Sequence, residues 1–570
     1  MARLINDDPV NYAEEALQGF AQANARYVKP VYGGVVRSTK TAQGKVALVV
    51  GGGSGHYPAF AGWVGPGFAD GAVAGNIFAS PSGAQAYSVC KAADRGAGIL
   101  IGFGNYAGDV LHFGQAVERL ASEGIDARTL LVTDDIASAP HDEHLRRRGI
   151  AGDLPVFKVT AAACEAGKPI DEVVAIFDRA NERCRSFGVA FDGCTLPGAD
   201  DALFHVEPGT MGIGLGIHGE PGIDSKPLGT ADEIAEMLVE GLLGDRPDES
   251  GSRVVALLNG LGSAPYEDLF IVYRGVARAL GEAGIEIVEG EVGEFVTSLD
   301  MNGLSLTLLW LDDVIEPLWF APCDTPAYRR GSVTEAEADT TELNNERPQV
   351  GVEQPGSEVS QAVAARLAEA LADVAALLKE NEKKLGDLDA VAGDGDHGVG
   401  MARGSHAAAE TAQRLLGEGA GAQTLLVGAG DSWSDRAGGT SGALWGAMLT
   451  AVGNTVGDSD GVDLATQAQA ARAALEAAIR LGGASVGDKT LVDALVPFVE
   501  AFEAAVDGGD ASAAWRAASE EANRGAETTK DFAAKLGRAR PLGQKSVGTP
   551  DPGAVSLSMI VARIADGAAS

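Results

Sequence analysis

The first half of the chain, from about residue 45 to residue 310, alternates short apolar runs with longer segments of mixed character. Each apolar run ends in a turn of Gly, Asn, Asp or Thr residues, as at 46–50, 99–101, 130–132 and 254–258. Uninterrupted apolar runs bounded by such turns are typical of buried parallel strands in an α/β layer. Because ligands bind at the carboxyl ends of such strands, these turns are the first candidates for a functional site.

The pattern changes after residue 330. The next 27 residues are rich in Glu, Thr, Asn and Pro and contain almost no large apolar residue, which predicts an exposed linker. Beyond it, apolar residues recur at three- and four-residue spacing, over 363–378, 464–481 and 491–506. This spacing predicts amphipathic helices. We therefore expect a multi-domain chain: an α/β domain over 1–330, a linker over 331–357 and an all-α domain over 358–570.

Net charge narrows the possible partners. The chain has 570 residues with 44 basic and 80 acidic side chains, so its formal net charge is −36. Such a chain repels nucleic acid and anionic lipid, and its longest basic run is 146–148. The same charge opposes an anionic nucleotide unless a metal cation intervenes.

Cysteine usage and hydropathy indicate the compartment. The five cysteines are scattered and lack CxxC spacing, so neither a disulfide framework nor a zinc site is expected. No window approaches about 18 uninterrupted apolar residues, and the first residues lack the apolar segment of a signal peptide. We expect a soluble cytoplasmic protein with no membrane partner.

An acidic segment follows the linker. Residues 388–398, LDAVAGDGDHG, contain Asp389, Asp394 and Asp396. Hard divalent cations prefer oxygen ligands, and the intervening glycines let the backbone turn sharply enough for alternate carboxylates to converge. An EF-hand is excluded because no Glu stands at the twelfth position. The alternative is a solvated Asp/Gly turn that caps a helix.

Three further turns in the second half lie at predicted helix starts, namely GGTSG at 438–442, GDKT at 487–490 and DPGA at 551–554. Backbone amides and hydroxyls at a helix N-terminus form an anion site that suits phosphate, although a Ser or Thr cap has the same appearance. A Walker A motif is absent. Together with the acidic segment, these turns predict a helical domain that binds a nucleotide through Mg²⁺.

The first half offers polar side chains in glycine-rich turns after its apolar runs. His56 ends GGGSGH, His218 lies within 212–222, and Asp109 ends GNYAGD. The first of these turns lacks the final Gly of a dinucleotide-binding fingerprint. A single histidine in a turn is more often structural than catalytic, but three polar residues at three strand ends favour a site.

At this point the chain resembles the single-chain, ATP-dependent dihydroxyacetone kinases over nearly its whole length. Four motifs resemble the substrate domain of that family, GGGSGH at 51–56, GNYAGDVLHFG at 104–114, GIHGEPG at 216–222 and TSLDMNGLSLTLL at 297–309. Four others resemble its nucleotide domain, LDAVAGDGDHG at 388–398, GGTSG at 438–442, GDKTLVDAL at 487–495 and GRARPLGQKSVGTPDPGA at 537–554.

The resemblance implies a substrate domain of two α/β subdomains and a helical-barrel nucleotide domain. It implies that His218 forms a covalent hemiaminal with a ketose, that His56 and Asp109 handle protons, and that Gly53, Ser54 and Gly55 complete the substrate site. Asp389, Asp394 and Asp396 match the Mg²⁺ ligands. The ATP contacts it implies are Asp394, Gly395, Asp396, His397, Thr440, Ser441, Gly487, Asp551, Pro552 and Gly553. The family also suggests a homodimer.

Three aromatic residues depart from the family pattern. Tyr57, Phe60 and Trp63 follow His56, where the family usually places polar side chains. An aromatic pocket rim would favour a four-carbon ketose such as erythrulose over dihydroxyacetone, whereas neutral drift is the alternative. Two other functions remain open, a cyclising FAD-AMP lyase activity and a non-catalytic regulator.

Overall fold

The computed structural model describes residues 4–6, 8–220, 222–332, 341, 343, 350–537, 539–540 and 543–567. The chain divides into two compact units, 1–347 and 348–570. The first unit contains two sheets with helices against them, and the second is helical among its described residues. This arrangement confirms the predicted fold class.

The first sheet has six strands in the order β1-β2-β4-β3-β5-β6. The strands are β1 (Val28–Val31), β2 (Gly34–Arg37), β3 (Ala47–Ser54), β4 (Gly71–Ile77), β5 (Ile99–Gly104) and β6 (Ala127–Val132). Its helices are α1 (Tyr12–Ala23), α2 (Gly83–Ala93), α3 (Ala107–Ser122), α4 (Asp153–Glu165) and α5 (Ile170–Glu182). Strands β4, β3, β5 and β6 are parallel, which confirms the prediction from the runs 46–50, 99–101 and 130–132, in β3, β5 and β6.

Burial on both faces explains why these strands are continuously apolar. Leu48 and Val50 of β3 pack into one core, and Ala47 and Val49 pack into another on the opposite face. Polar groups therefore concentrate where the strands end. The carboxyl end of β3 leads directly into the Gly55-His56 turn.

The second sheet has the order β11-β10-β12-β7-β8-β9. Its strands are β7 (Cys184–Asp192), β8 (Thr210–Ile213), β9 (Asp224–Pro227), β10 (Arg253–Gly260), β11 (Glu286–Gly293) and β12 (Asn302–Trp310). Helices α6 (Ala231–Gly244), α7 (Tyr266–Glu282) and α8 (Ile315–Trp319) accompany it, and β13 (Cys323–Asp324) pairs with β14 (Arg329–Arg330).

The run 254–258 corrects one expectation from the sequence. It forms β10, which is parallel to β11 but antiparallel to β12, and β12 is antiparallel to β7. Val254 packs into a core with α6 and α7, whereas Val255 packs into the core that also contains Leu48. Burial on both faces, rather than strand direction, makes the run apolar.

The second unit is a closed ring of helices. They are α9 (Glu358–Glu380), α10 (Glu382–Asp389), α11 (His397–Gly417), α12 (Ala422–Ala437), α13 (Gly439–Val456), α14 (Leu464–Gly482), α15 (Val492–Ala505), α16 (Ala511–Thr528) and α17 (Pro552–Gly567). From α11 to α17 each helix packs on the next, and α9 packs on both α11 and α17. The apolar faces meet in one core, which gives the predicted helical barrel.

Helix boundaries confirm the periodicity predictions, with one correction. The segments 363–378, 464–481 and 491–506 correspond to α9, α14 and α15. The GGTSG turn does not precede its helix, however, because α13 already begins at Gly439. Thr440 and Ser441 therefore lie in the first helical turn, where backbone N–H groups have no partner within the helix.

The predicted linker, 331–357, lies largely outside the described residues, and its boundaries stay a prediction. If it is a flexible tether, limited proteolysis will cut it first and leave two folded pieces, because flexible polar segments are preferred cleavage sites. Mass spectrometry of the fragments measures the cut sites. First cleavage inside either folded unit would contradict the boundary.

Candidate active site

The Gly55-His56 turn is held by a segment of the other subdomain. Leu299 N–H donates to the Gly55 carbonyl at 2.8 Å, and Thr297 N–H donates to the His56 carbonyl at 3.2 Å. Gly55 has φ of +105°, and a Cβ there would lie 2.8 Å from the Phe78 ring. Glycine is therefore required at this position. The TSLD motif fixes the turn that presents His56.

Two histidines meet in this site. His56 Nε2 lies 3.1 Å from His218 Nε2, and the two rings are nearly perpendicular. The loop after β8 presents His218, while β3 presents His56. The structure thus brings together two of the three predicted catalytic residues, from separate sheets.

Hydrogen bonds determine where the protons lie. Because the Thr297 carbonyl can only accept, His56 Nδ1–H donates to it, at 2.8 Å. Burial and the neighbouring His218 ring lower the pKa of His56 to about 3. His56 is therefore neutral near pH 7, and its Nε2 is a hydrogen-bond acceptor. His218 Nε2 must then supply the proton between the two rings.

A carboxylate lies on the opposite side of His218. Glu220 Oε1 is 3.0 Å from His218 Nδ1, and its Oε2 accepts the His218 backbone N–H at 3.0 Å. Burial raises the pKa of a carboxyl group, but His218 and Arg148 outweigh burial and hold the pKa of Glu220 far below its ordinary range. With hydrogens on both ring nitrogens, His218 forms an imidazolium–carboxylate pair with Glu220.

Arg148 continues the chain of charges. Its guanidinium donates to Asp135 at 2.7 and 3.0 Å and lies 3.9 Å from Glu220. Because Arg148 is already shared with Asp135, it offsets the Glu220 charge without binding that carboxylate tightly. The chain of contacts runs from Thr297 through His56, His218 and Glu220 to Arg148.

Two aromatic residues enclose the histidines. The Phe78 ring stacks on His56 with centroids 5.1 Å apart, and the Tyr106 ring stands edge-on to His218 at 4.7 Å. Sequence analysis did not single out either residue. A weak signal existed for Tyr106, which lies inside the GNYAGD motif, whereas Phe78 follows β4 in a segment without any motif.

Of the aromatic trio predicted as a pocket rim, Trp63 does not line one, and the role of Tyr57 and Phe60 stays a prediction. Trp63 is fully buried in the core and packs on Phe60 and Phe68. Tyr57 is half exposed and packs edge-on to Phe20. Trp63 follows His56 closely along the chain, but its indole packs among the rings of Phe60, Phe68 and Phe157 instead of facing the histidines.

The remaining predicted residues of the substrate site lie close by. Asp109 is buried in the first turn of α3, three residues after Tyr106. Ser54 Oγ donates to the Gly75 carbonyl at 2.7 Å, so this hydroxyl ties β3 to β4. A Cβ on Gly53 would lie 2.9 Å from the Ala79 nitrogen, so a larger residue does not fit at this position without a shift of the backbone.

The three aspartates of the second unit converge. Oxygen atoms of Asp389, Asp394 and Asp396 all lie within 4.8 Å of one another. Desolvation of its carboxyl group and the adjacent Asp389 raise the pKa of Asp396 to about 7, although the residue as a whole is exposed. Crowded oxygen donors of this kind suit Mg²⁺, which prefers carboxylates and phosphate oxygens.

His397 links this cluster to two of the predicted phosphate turns. Its backbone N–H donates to Asp389 at 3.3 Å, and its ring nitrogens lie 3.2 Å from Ser441 Oγ and 2.9 Å from Ser556 Oγ. The buried ring therefore connects the N-termini of α11, α13 and α17. These contacts fix the orientation of the His397 ring.

The last two turns adjoin each other. A Cβ on Gly553 would lie 3.6 Å from Leu491 Cβ, next to the GDKT turn. Asp493 accepts the Gly487 and Thr490 N–H groups at 2.5 and 2.8 Å. Burial and the charges of Asp389 and Asp493 raise the pKa of Asp551 to about 7. Asp551, which caps α17, is thus near the aspartate cluster.

Comparison with known proteins places the chain in a family. Residues 18–327 match the Dak1 domain, and residues 391–566 match the DAK2 domain. A Mycolicibacterium smegmatis protein named L-erythrulose 1-kinase is 52% identical over 98% of each chain. A Pectobacterium atrosepticum protein named L-erythrulose kinase is 52% identical over 98% of this chain and 95% of its own. The human protein named triokinase/FMN cyclase is 33% identical over 92% of this chain and 91% of its own.

Solved structures agree. The dihydroxyacetone kinase of C. freundii in its native form aligns over all of both chains, with a TM-score of 0.54 and 29% identity. The same enzyme in complex with AMP-PNP and Mg²⁺ aligns with a TM-score of 0.54 and 28% identity. Within the part of the chain that the structure describes, no helix is both long and apolar enough to cross a bilayer.

A domain that pairs two histidines, followed by a helical barrel with an acidic cluster, defines a two-domain kinase. The chain belongs to the dihydroxyacetone kinase family, in which a Dak1 domain precedes a DAK2 domain. The resemblance and the enzyme class are thereby confirmed. The cyclase name occurs on the 33% relative and not on the two 52% relatives, so the comparisons support the kinase prediction rather than the lyase alternative. Kinase names on full-length relatives also argue against a regulator.

The aspartate cluster generates a prediction about metal. Replacing Asp394 or Asp396 by Asn removes a charged ligand from a hard-cation site, so calorimetric affinity for Mg-ATP will fall at least tenfold, on the order of 1.4 kcal/mol. Asp387→Asn is the matched control, because Asp387 is exposed on α10 and pairs with Lys383. Equal affinity in all three variants would make the cluster an ordinary capping turn.

Proposed function

We propose that this protein transfers the terminal phosphoryl group of Mg-ATP to a hydroxyl of a short-chain ketose held covalently on His218. The observation that carries this proposal is the 3.1 Å approach of the two histidine Nε2 atoms, with the far nitrogen of His218 on Glu220. A nucleophile with an adjacent base and an orienting carboxylate is the pattern of covalent catalysis.

The proton count of the pair suits attack on a carbonyl. His56 Nε2 accepts the proton of His218 Nε2, which leaves a lone pair on His218. That nitrogen attacks the carbonyl carbon, the N–C bond forms, and the π electrons of the C=O bond move to oxygen. The carbonyl oxygen then takes the proton from His56, so that a hemiaminal hydroxyl results.

Charge is conserved within the site during this step. Before attack, the cation is the doubly protonated His218. Afterwards His218 carries carbon on Nε2 and hydrogen on Nδ1, so the ring is again cationic and still faces Glu220. The net charge of the site is therefore the same before and after a neutral ketose binds, and the positive charge resides on buried His56 only during the proton transfer, which limits the cost of unpaired charge.

Covalent anchoring compensates for the small size of the substrate. A three- or four-carbon polyol offers few contacts, so a pocket alone discriminates weakly. Requiring a carbonyl excludes glycerol, and the anchor fixes the reacting hydroxyl for in-line transfer. Buried Asp109, at the N-terminal turn of α3, is our candidate for receiving that hydroxyl's proton.

The helical unit supplies the nucleotide site in this proposal. Asp389, Asp394 and Asp396 would hold Mg²⁺, which when bound offsets the negative charge of the phosphates. The contacts of the ATP phosphates would come from Gly395, His397, Thr440, Ser441 and Gly487, with Asp551, Pro552 and Gly553 at the start of α17. A bound metal cation would also reduce the repulsion between a nucleotide and a chain of net charge −36.

Among ketoses we propose erythrulose as the preferred substrate. Its support is the 52% identity to relatives named erythrulose kinases, because Trp63 is buried and the three rings do not form one rim. The proposal further comprises a cytoplasmic homodimer without a nucleic-acid partner. The acidic charge supports the last point.

The covalent step is tested by intact-protein mass. Wild type incubated with erythrulose will gain the mass of one ketose, whereas His218→Ala will not. Glu220→Gln keeps the shape but removes the charge opposite the cationic adduct, so adduct formation will slow roughly 10- to 100-fold, because a hydrogen bond to a charged group contributes about 1.5–3 kcal/mol. An adduct that persists in His218→Ala would remove this residue from the role.

Substrate preference is tested by a coupled ADP-release assay. kcat/KM will be highest for D- or L-erythrulose and lower for dihydroxyacetone by roughly 10- to 200-fold, the range that one added contact provides. Glyceraldehyde completes the series, and glycerol, which has no carbonyl, will give no turnover. Higher kcat/KM for dihydroxyacetone would make the protein a dihydroxyacetone kinase, and turnover of glycerol would exclude obligatory covalent capture.

A further inference from the structure

A buried lysine in the helical unit is not used by the site described so far. Lys489 is 5% exposed and lies in the GDKT turn. Its Nζ donates to the backbone carbonyls of Ser546, Thr549 and Phe532 at 2.5, 2.7 and 3.1 Å. The three acceptors belong to the segment that joins α16 to α17.

The geometry requires the charged form. A neutral amine has two hydrogens, whereas an ammonium has three, and three carbonyls accept from Lys489. Carbonyl oxygens carry partial negative charge, and the Asp551 carboxylate also favours the ammonium against the desolvation that lowers the pKa of Lys489. Lys489 is therefore a cation enclosed by backbone.

The backbone of Lys489 is also unusual. Its φ is +63°, in the left-handed region that residues with a Cβ rarely adopt. That conformation aims the side chain across to the 532–549 segment, and the three hydrogen bonds offset its cost. Strain of this kind persists where the surrounding structure requires it.

Lys489 thereby joins two turns. Gly487 precedes it by two residues, and Thr549 precedes Asp551 by two residues. Asp551 N–H donates to Thr529 Oγ1 at 2.8 Å, which fixes the other end of the segment. Without the ammonium, the carbonyls of Phe532, Ser546 and Thr549, which are buried or partly buried, would lose its N–H donors. The approach to Asp551 would then keep fewer links to the GDKT turn, among them the hydrogen bond from Lys535 N–H to the Asp488 carbonyl at 3.2 Å.

We propose that Lys489 is a positioning residue for the nucleotide, a resident cation that fastens the segment before Asp551 to the GDKT turn. This inference rests on the proposed function, in which both turns contact ATP. It assigns Lys489 no contact with the nucleotide itself. The consequence is that nucleotide affinity depends on a cation in the carbonyl cage formed by residues 532, 546 and 549.

The first experiment compares two lysine substitutions in the full-length protein. Lys489→Met keeps the length of the side chain and removes the donors, so we expect calorimetric affinity for Mg-ATP to fall at least tenfold. Lys530→Met is the matched control, because Lys530 is exposed, also lies between α16 and α17, and pairs with Glu527 rather than with the GDKT turn. Adduct formation with erythrulose will continue in both variants, since it belongs to the other unit.

A chemical-rescue experiment tests whether Lys489 positions the nucleotide site through its hydrogen-bonding cation or only stabilises the fold. Lys489→Ala removes the side chain beyond Cβ, and propylammonium has the missing carbons and the ammonium group. Adding it will restore Mg-ATP affinity at least in part. Tetramethylammonium will not, because it carries the charge but has no N–H donor. If Lys489→Met does not fold, Lys489→Ala refolded in propylammonium provides the same comparison.

Each outcome decides between the proposals. If wild type does not bind Mg-ATP, the proposed function fails. If wild type binds and Lys489→Met binds equally well, only the role of Lys489 is overturned. Loss of affinity without rescue by propylammonium, or equal rescue by tetramethylammonium, also overturns it, because neither result requires a hydrogen-bonding cation in the cage.

Discussion

Two imidazole nitrogens 3.1 Å apart must share one proton, and the substrate domain is built around that requirement. The Nδ1 atom of His56 is hydrogen-bonded to the Thr297 carbonyl, and the Nδ1 atom of His218 is hydrogen-bonded to the Glu220 carboxylate. What remains is a single mobile proton between the rings. The proposed capture of a carbonyl substrate needs one lone pair and one proton, and the two histidines together can supply both.

The fold satisfies this requirement by joining two sheets. His56 and His218 follow strands of different sheets, and the 297–299 segment of the second subdomain hydrogen-bonds the turn that carries His56. A core that includes residues of β3 and β10 spans both sheets. Neither subdomain alone could fix the distance between the two nitrogens, so the site depends on their common core.

Local signals predicted the parts of the structure that depend on local chemistry. Burial on both faces identified β3, β5 and β6, helical spacing identified α9 and α14, and the aspartates of 388–398 converge as expected. Contacts between residues far apart in the sequence could not be predicted from local patterns. Phe78 reaches His56 from another strand, and Arg148 reaches Glu220 from a distant loop. Trp63 misled for the same reason, since proximity along the chain says nothing about which way a side chain turns.

The two units solve opposite electrostatic problems. In the proposed function the histidine site binds a neutral ketose and keeps its charges in balance, with Glu220 and Arg148 both buried or nearly so. In the same proposal the helical unit binds a polyanion in a chain of charge −36, and its three converging aspartates would attract the cation that makes this possible. Lys489 is likewise an internal cation, because its ammonium group faces backbone carbonyls. An acidic protein can thus bind a nucleotide without a basic surface, provided that its few cations are held internally.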